Sequence, residues 1–205
     1  MIELSPSILE NRVTTGRFDP SATLDSTSIR ELVRLATQAP SAFHLQNWSF
    51  TAVHSDAAKQ QLMDLSYGQR QVRDAAVTFI VAGHVCAYES LAERLQPSVD
   101  SGIIDAATQQ TWVDMATGSH EGNVALQRDE AIRSASLATM SLIVAARERG
   151  LDTGVLGGFD AAAVCKAFAL SADAIPVMLV TVGRAAAGNW PQKIRRPVDE
   201  VLRFV

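Results

Sequence analysis

Four stretches of the chain concentrate residue types able to hold a ligand. Ala39 to Trp48, Ala-Pro-Ser-Ala-Phe-His-Leu-Gln-Asn-Trp, packs a hydroxyl, an imidazole, two amides and two aromatic rings into one bend. A plain helix-to-strand connector needs only a glycine and a polar residue or two, so this bend reads as a wall for a flat polar ligand. Near the other end, Gly157 and Gly158 precede a helical segment. Paired glycines there let backbone N–H groups approach a ligand with no Cβ in the way. The remaining two stretches are basic. In an extended segment alternate side chains share a face, so Arg12 and Thr14 can meet one anion, and so can Lys193 and Arg195 with Ile194 turned away. These cations are either solvated termini or two halves of one phosphate site.

Machinery for acid–base or metal chemistry is thin. His120-Glu121 lacks the second histidine at helical spacing that a zinc protease needs, and the four histidines are scattered, so no metal site is expected. Without a Gly-x-Ser-x-Gly elbow, Ser41 is not a hydrolase nucleophile. Cys165 lies among alanines as a small hydrophobe, and Cys86 is too distant in sequence to form a Cys-x-x-Cys pair with it. The glycines match neither Gly-x-Gly-x-x-Gly nor a P-loop. Catalysis therefore falls to a bound cofactor.

At 205 residues and a net charge of −4, the chain reads as a single domain, 1–205, with no general affinity for nucleic acid. No apolar run approaches the roughly 18 residues of a membrane span, and the first residues lack a signal peptide's basic and apolar regions, so the expected location is cytoplasmic.

Periodicity supplies the frame. Helices are predicted at Ser7–Asn11, at Ser26–Gln38 (Ile29, Leu32, Val33 and Ala36 inward, Pro40 closing it), and from a Ser55 cap to Leu65. Two more are expected at Tyr88–Leu95 and Ile104–Met115, broken by Pro-Ser-Val-Asp-Ser-Gly. A long, nearly all-round apolar helix follows over 124–149, and a last one over Ala161–Phe168 capped by Asp160. Strands are expected at 49–54, 77–82 and 175–184, with 151–160 as a glycine-rich loop. Trp112 is core, interface or ligand contact, and the turn carrying Gln69 and Gln71 is either solvated or ligand-facing; Asp74 caps or orients that turn.

The bend's Ala-Pro-Ser-Ala-x-x-x-Gln-x-Trp resembles the Ala-Pro-Ser-Ser/Ala-x-Asn-x-Gln-Pro-Trp signature of the nitroreductase family, with His44 in place of Asn and Asn47 in place of Pro. Two further stretches resemble family motifs: the Gly-Gly-Phe-Asp run ending at Asp160, and the tail Pro191-Gln-Lys-Ile-Arg-Arg-Pro. The likeness spans nearly the whole chain, least at 87–122.

The resemblance implies an α+β fold: a three-layer arrangement with a central mixed, mainly antiparallel sheet, helices on both faces, and a C-terminal tail extending over a partner subunit. It implies FMN held between the chains of a homodimer. The arm resembles the family's Arg-Arg-Ser-x-Arg-x-Phe motif, so the phosphate would lie against Arg12, Val13, Thr14 and Gly16, with Phe18 as that motif's aromatic, and against Lys193 and Arg195. Val13 and Gly16 replace basic residues of the motif, and Arg17 stands one position out of step. The ring would meet Pro40, Ser41, Ala42, His44, Gln46, Gln69 and Gln71, with the N–H groups of the Leu156-Gly157-Gly158 turn toward flavin N5. Residues 87–122 correspond to a variable helical lid, and Phe43 and Trp112 are its candidate substrate contacts. The implied activity is hydride transfer from NADH or NADPH, through flavin N5 with no catalytic side chain, to nitroaromatic, quinone or similar acceptors by a ping-pong scheme. The alternatives are reductive dehalogenation or flavin cleavage on the same fold, or a flavin-binding protein without turnover.

Overall fold

The computed structural model describes residues 7–205. Its centre is a four-stranded sheet of order β1-β2-β4-β3, with β1 at Trp48–Val53, β2 at Val77–His84, β3 at Asp152–Leu156 and β4 at Ala174–Gly183. Every ladder is antiparallel, and a parallel bridge between Thr14 and Thr153 supplies the mixed character. The central strands β2 and β4 are apolar on both faces because both are covered.

One face packs on α2 (Ser26–Ala36) and α7 (Val124–Glu148), where Phe79, Val81, Val180 and Val182 meet Leu32, Ala135 and Leu142. The other face packs on α3 (Asp56–Asp64) and α8 (Ala161–Ala167) through Ile80, Leu179, Leu62 and Val164. Each such buried aliphatic side chain contributes about 1.5–3 kcal/mol relative to exposure. The predicted caps are present, Ser55 and Asp160 accepting the N–H bonds that start α3 and α8, and Ser7 forms a capping box on α1 (Ile8–Asn11). A short α4 (Arg70–Asp74) precedes β2, and Asp74 pairs with Arg70 at 3.7 Å, an orienting role.

Three expectations need correction. The stretch 151–160 is not all loop, since its first half is β3. The Pro-Ser-Val-Asp-Ser-Gly stretch does not break the helix at Pro97: α5 runs Leu91–Asp100 through the proline, after a 3-10 turn at Ala87–Ser90. An interior proline costs about 3 kcal/mol, and the burial of Leu91 and Leu95 in a third apolar cluster offsets it. The helix stops instead at Gly102, whose φ of +68° suits glycine. Finally, α7 is less uniformly apolar than its sequence reads, because Gln127, Glu130, Ser134 and Thr139 are buried in it while Leu137 and Met140 stay exposed. Glu130 is paired by Arg133. The sixth helix, α6 (Ala106–His120), is capped by Asp105 and extends past its predicted end.

Candidate functional site

Strand β3 positions the N-terminal arm. Thr15 is fully buried, its N–H donates to the Thr153 carbonyl at 2.9 Å, and Thr14 is bridged to Thr153. The approach is so close that a Cβ on Gly154 would lie 2.4 Å from the Thr15 carbonyl oxygen and 2.6 Å from Thr181 Oγ1. Glycine at 154 is thus the condition for the arm lying on the sheet edge.

The same arm is clamped to the root of the C-terminal tail by Asn189, a residue the sequence reading passed over. Its Oδ1 accepts from the N–H groups of Gly16 (2.8 Å) and Arg17 (2.9 Å), and its Nδ2 donates to the carbonyls of Arg17 and Ala186. Arg17 lies against Gly188, where a Cβ would sit 2.7 Å from its guanidinium. The Gly16 N–H is therefore already engaged, and what Gly16 offers is room for Gln71, whose Oε1 would be 3.3 Å from a Cβ there. Beyond Asn189 the tail is exposed. Arg196 turns to Glu200 at 3.0 Å, whereas Lys193 and Arg195 make no salt bridge among the described residues.

At the end of β3 the chain turns through Gly157 and Gly158. Gln69 Nε2 donates to the Gly158 carbonyl at 2.7 Å and to Ser66 at 3.0 Å, so Gln69 pins this turn. A Cβ on Gly157 would meet nothing within 4 Å, which leaves the backbone open to a ligand. The arm with Arg12, Val13 and Thr14, the Gln69–Gln71 turn and the Leu156-Gly157-Gly158 turn are in this way brought together around β3. An open glycine turn, on the same strand edge as an arm that carries Arg12 and Thr14, fits a flat ring bearing a phosphate.

The bend at 40–46 forms a separate structure. Phe43, His44 and Gln46 all have positive φ (50°, 61° and 44°), a left-handed conformation costly for non-glycine residues and found where function demands it. Local bonds hold it: Gln46 N–H donates to Ser41 Oγ at 2.9 Å, and Gln46 Nε2 meets His44 Nε2 at 2.8 Å. Buried Leu45 anchors it in the cluster of α5 and α6. Phe43 stands edge-on to His120, which stacks on Tyr88. Between this bend and the helices lies a cleft of about 530 Å³, to which Pro40, Ser41, Phe43, His44 and Trp112 all contribute. Trp112 is thus both packed against the core cluster and exposed to the cleft. Asn47 instead is structural, buried and donating to the His84 carbonyl at 3.3 Å.

Burial, then the Glu89 and Asp173 charges, push the Cys86 thiol up, away from the reactive thiolate, and Cys165 is half-buried rather than fully enclosed among the alanines. His84 bridges Ser49 (2.8 Å) and Asp173 (3.1 Å), a Ser-His-Asp arrangement missed in the sequence. Its serine lies in the β1 ladder, so the network ties β1, β2 and the start of β4. Burial raises the Asp173 carboxyl, but the bond from Ser171 and the nearby His84 outweigh it and hold it below the usual range. Among the described residues, no group of three or more His, Cys, Asp or Glu could hold a metal, and no helix is long and apolar enough to cross a membrane.

Comparison with known proteins decides the kinship. The nitroreductase family model matches residues 9–184. The chain belongs to the nitroreductase family. YodC of Bacillus subtilis, named as an NAD(P)H nitroreductase, is 34% identical over 198 residues, 97% of each chain. The FMN complex of a protein from Exiguobacterium sibiricum, named as a nitroreductase, superposes with a TM-score of 0.90 at 25% identity, covering 97% of this chain and 95% of that one. A more distant relative, the CLA biosynthesis enone reductase of Lactiplantibacillus plantarum, is 23% identical over 183 residues, 87% of this chain and 84% of its own.

Proposed function

We propose that the chain is an FMN-dependent oxidoreductase that draws on NADH or NADPH and reduces nitroaromatic, quinone or related conjugated acceptors. The observation that carries this reading is the open Gly157–Gly158 turn held by Gln69 beside an arm fastened to β3. The relatives' names, with FMN and NAD(P)H among them, agree with it. When bound, FMN supplies hydride chemistry that no side chain here can perform. The chain's own share is positional. Arg12, Thr14, Lys193 and Arg195 hold the phosphate; the glycine turn presents rigid N–H donors to the ring; and the segment 87–122 acts as a lid.

A homodimer completes the site. Among the described residues the bend shares no side-chain hydrogen bond with the glycine turn. Apolar side chains also lack cover within one chain: Leu137 and Met140 on α7, and Ile194 and Phe204 on the tail. A second copy brings its bend to the glycine turn and receives the tail, and the cytoplasm is the compartment such a nucleotide-fed enzyme fits.

One open ring face has room for one flat partner at a time, so nucleotide and acceptor alternate. Initial rates at varied nucleotide and acceptor should give parallel double-reciprocal lines, and intersecting lines refute the shared face. His44→Ala should slow turnover by well under the roughly 10²–10⁴-fold of a lost acid–base catalyst. A larger loss with FMN still bound means that His44 delivers a proton, as its bond to Gln46 could orient it to do.

A further inference from the structure

We propose that the cleft between the bend and helices α5 and α6 receives a hydrocarbon extension of the acceptor, so that the preferred acceptor is amphipathic: a conjugated carbonyl or quinone head on an apolar tail. This rests on the function proposed above and names the substrate class of that site.

Three observations carry it. First, the cleft's volume, about 530 Å³, lies within the roughly 300–1,000 Å³ of small-molecule sites, and its wall runs straight from the ligand-facing bend (Pro40, Ser41, Phe43) onto the helices. The bend's left-handed backbone at Phe43 goes with that ring lining the cleft, and the ring is braced edge-on by His120, on which Tyr88 stacks.

Second, the lining suits hydrocarbon and little else. Its polar side chains are Ser41, His44 and Ser98; Ser41 already accepts from Gln46 N–H and His44 is joined to Gln46 Nε2. Among the described residues no lysine, arginine or carboxylate lines it. A dinucleotide's pyrophosphate would need cations there, and Arg94, on the same helix as Leu95, turns back to the Ala87 carbonyl at 2.6 Å. The nucleotide is thus a poor occupant and an apolar chain a good one.

Third, the rim is preformed. Ile103 and Ile104 line the cleft, and both their N–H groups bond to the Ser98 carbonyl, at 2.9 and 3.3 Å. Ile103 is held 75% exposed at that rim, where a bound apolar group would cover it.

The test uses FMN-loaded protein, saturating NADH or NADPH, and a benzoquinone series with no tail, a butyl tail and a decyl tail. Acceptor kcat/KM should rise through KM by up to about fourfold per methylene over the first few carbons and then level off. Ile103→Asp, an exposed substitution that the fold tolerates, should cut the decyl-to-tailless ratio at least tenfold. Equal kcat/KM across the series, with the tailless quinone still reduced, overturns the tail cleft and leaves the proposed function standing. Calorimetric titration of the oxidised holoprotein with the tailless and decyl quinones reads the tail without turnover. Tighter binding of the decyl compound, weakened in Ile103→Asp, supports the cleft even where neither nucleotide reduces the flavin, an outcome that would refute only the proposed function. Equal binding of both compounds, as when a partner subunit fills the cleft, overturns it.

Discussion

Replacing Gly154 by alanine probes the link between fold and cofactor most sharply. The added Cβ would stand 2.4 Å from the Thr15 carbonyl oxygen, a backbone atom of a fully buried residue, and 2.6 Å from Thr181 Oγ1, which itself donates to the Gly154 carbonyl at 3.1 Å. Something has to move by the better part of an ångström. Overpacking of this kind costs about 1–3 kcal/mol, and loss of the bond from Thr15 N–H to Thr153 adds about 0.5–1.5 kcal/mol. At roughly 2–4 °C per kcal/mol for a chain of this size, Tm should fall by about 3–18 °C. Because the displaced segment carries Arg12 and Thr14, FMN affinity should weaken at least tenfold in parallel. Calorimetric melting and flavin titration read the two effects. Gly118→Ala is the control: it lies in α6 with nothing within 4 Å of the new Cβ, so it should stabilise by up to about 1 kcal/mol. A Gly154→Ala protein with unchanged Tm and FMN affinity would refute the account of how β3 holds the arm.

Other expectations follow from the same geometry. Lys193→Ala with Arg195→Ala should yield colourless protein that regains activity only in excess FMN, and full flavin occupancy in the purified double variant contradicts the phosphate role. Sedimentation at low concentration should show only dimer, with an interface above the roughly 2,000 Å² of obligate contacts; a flavin-loaded monomer would count against it. Glu31 is held down to about 2 by its hydrogen bond from Arg34, with Arg149 reaching it from the end of α7 at 2.9 Å. Its pKa is depressed on folding, so the stabilisation is full above the ordinary value of 4.5 and is lost as pH falls through about 2. The Tm difference between wild type and Glu31→Gln should be small at neutral pH, since the pair is exposed, and vanish near pH 2; a difference that grows on acidification reverses the sign argued here.

The long helices and the central strands were legible because their burial is written as periodicity: Ile29 and Leu32 repeat on α2, and β2 and β4 run apolar throughout. Strand β3 was not, since Asp-Thr-Gly-Val-Leu is short and glycine-bearing. Its reason for glycine, contact with the Thr15 backbone, lies more than a hundred residues away in sequence. Pro97 misled in the opposite sense, because tertiary burial of its neighbours overrode a strong local rule. The bend was legible as a collection of groups but not as a conformation: three positive φ values on non-glycine residues leave no mark on composition. Asn189 was invisible for a related reason, as its four bonds go to backbone that only the fold brings near. The motifs marked the N-terminal arm and the glycine turn, two segments that the fold sets at β3. They did not reveal that Gly16 serves Gln71 and that Gln69 serves the turn.

The most direct measurement is the reductive half-reaction: anaerobic mixing of FMN-loaded protein with NADH or NADPH, followed by the visible absorbance of the flavin. The account predicts rapid bleaching with at least one nucleotide and return of the colour on adding a quinone or nitroaromatic. A flavin that stays oxidised with both nucleotides would contradict it and leave a protein that binds FMN without turning over.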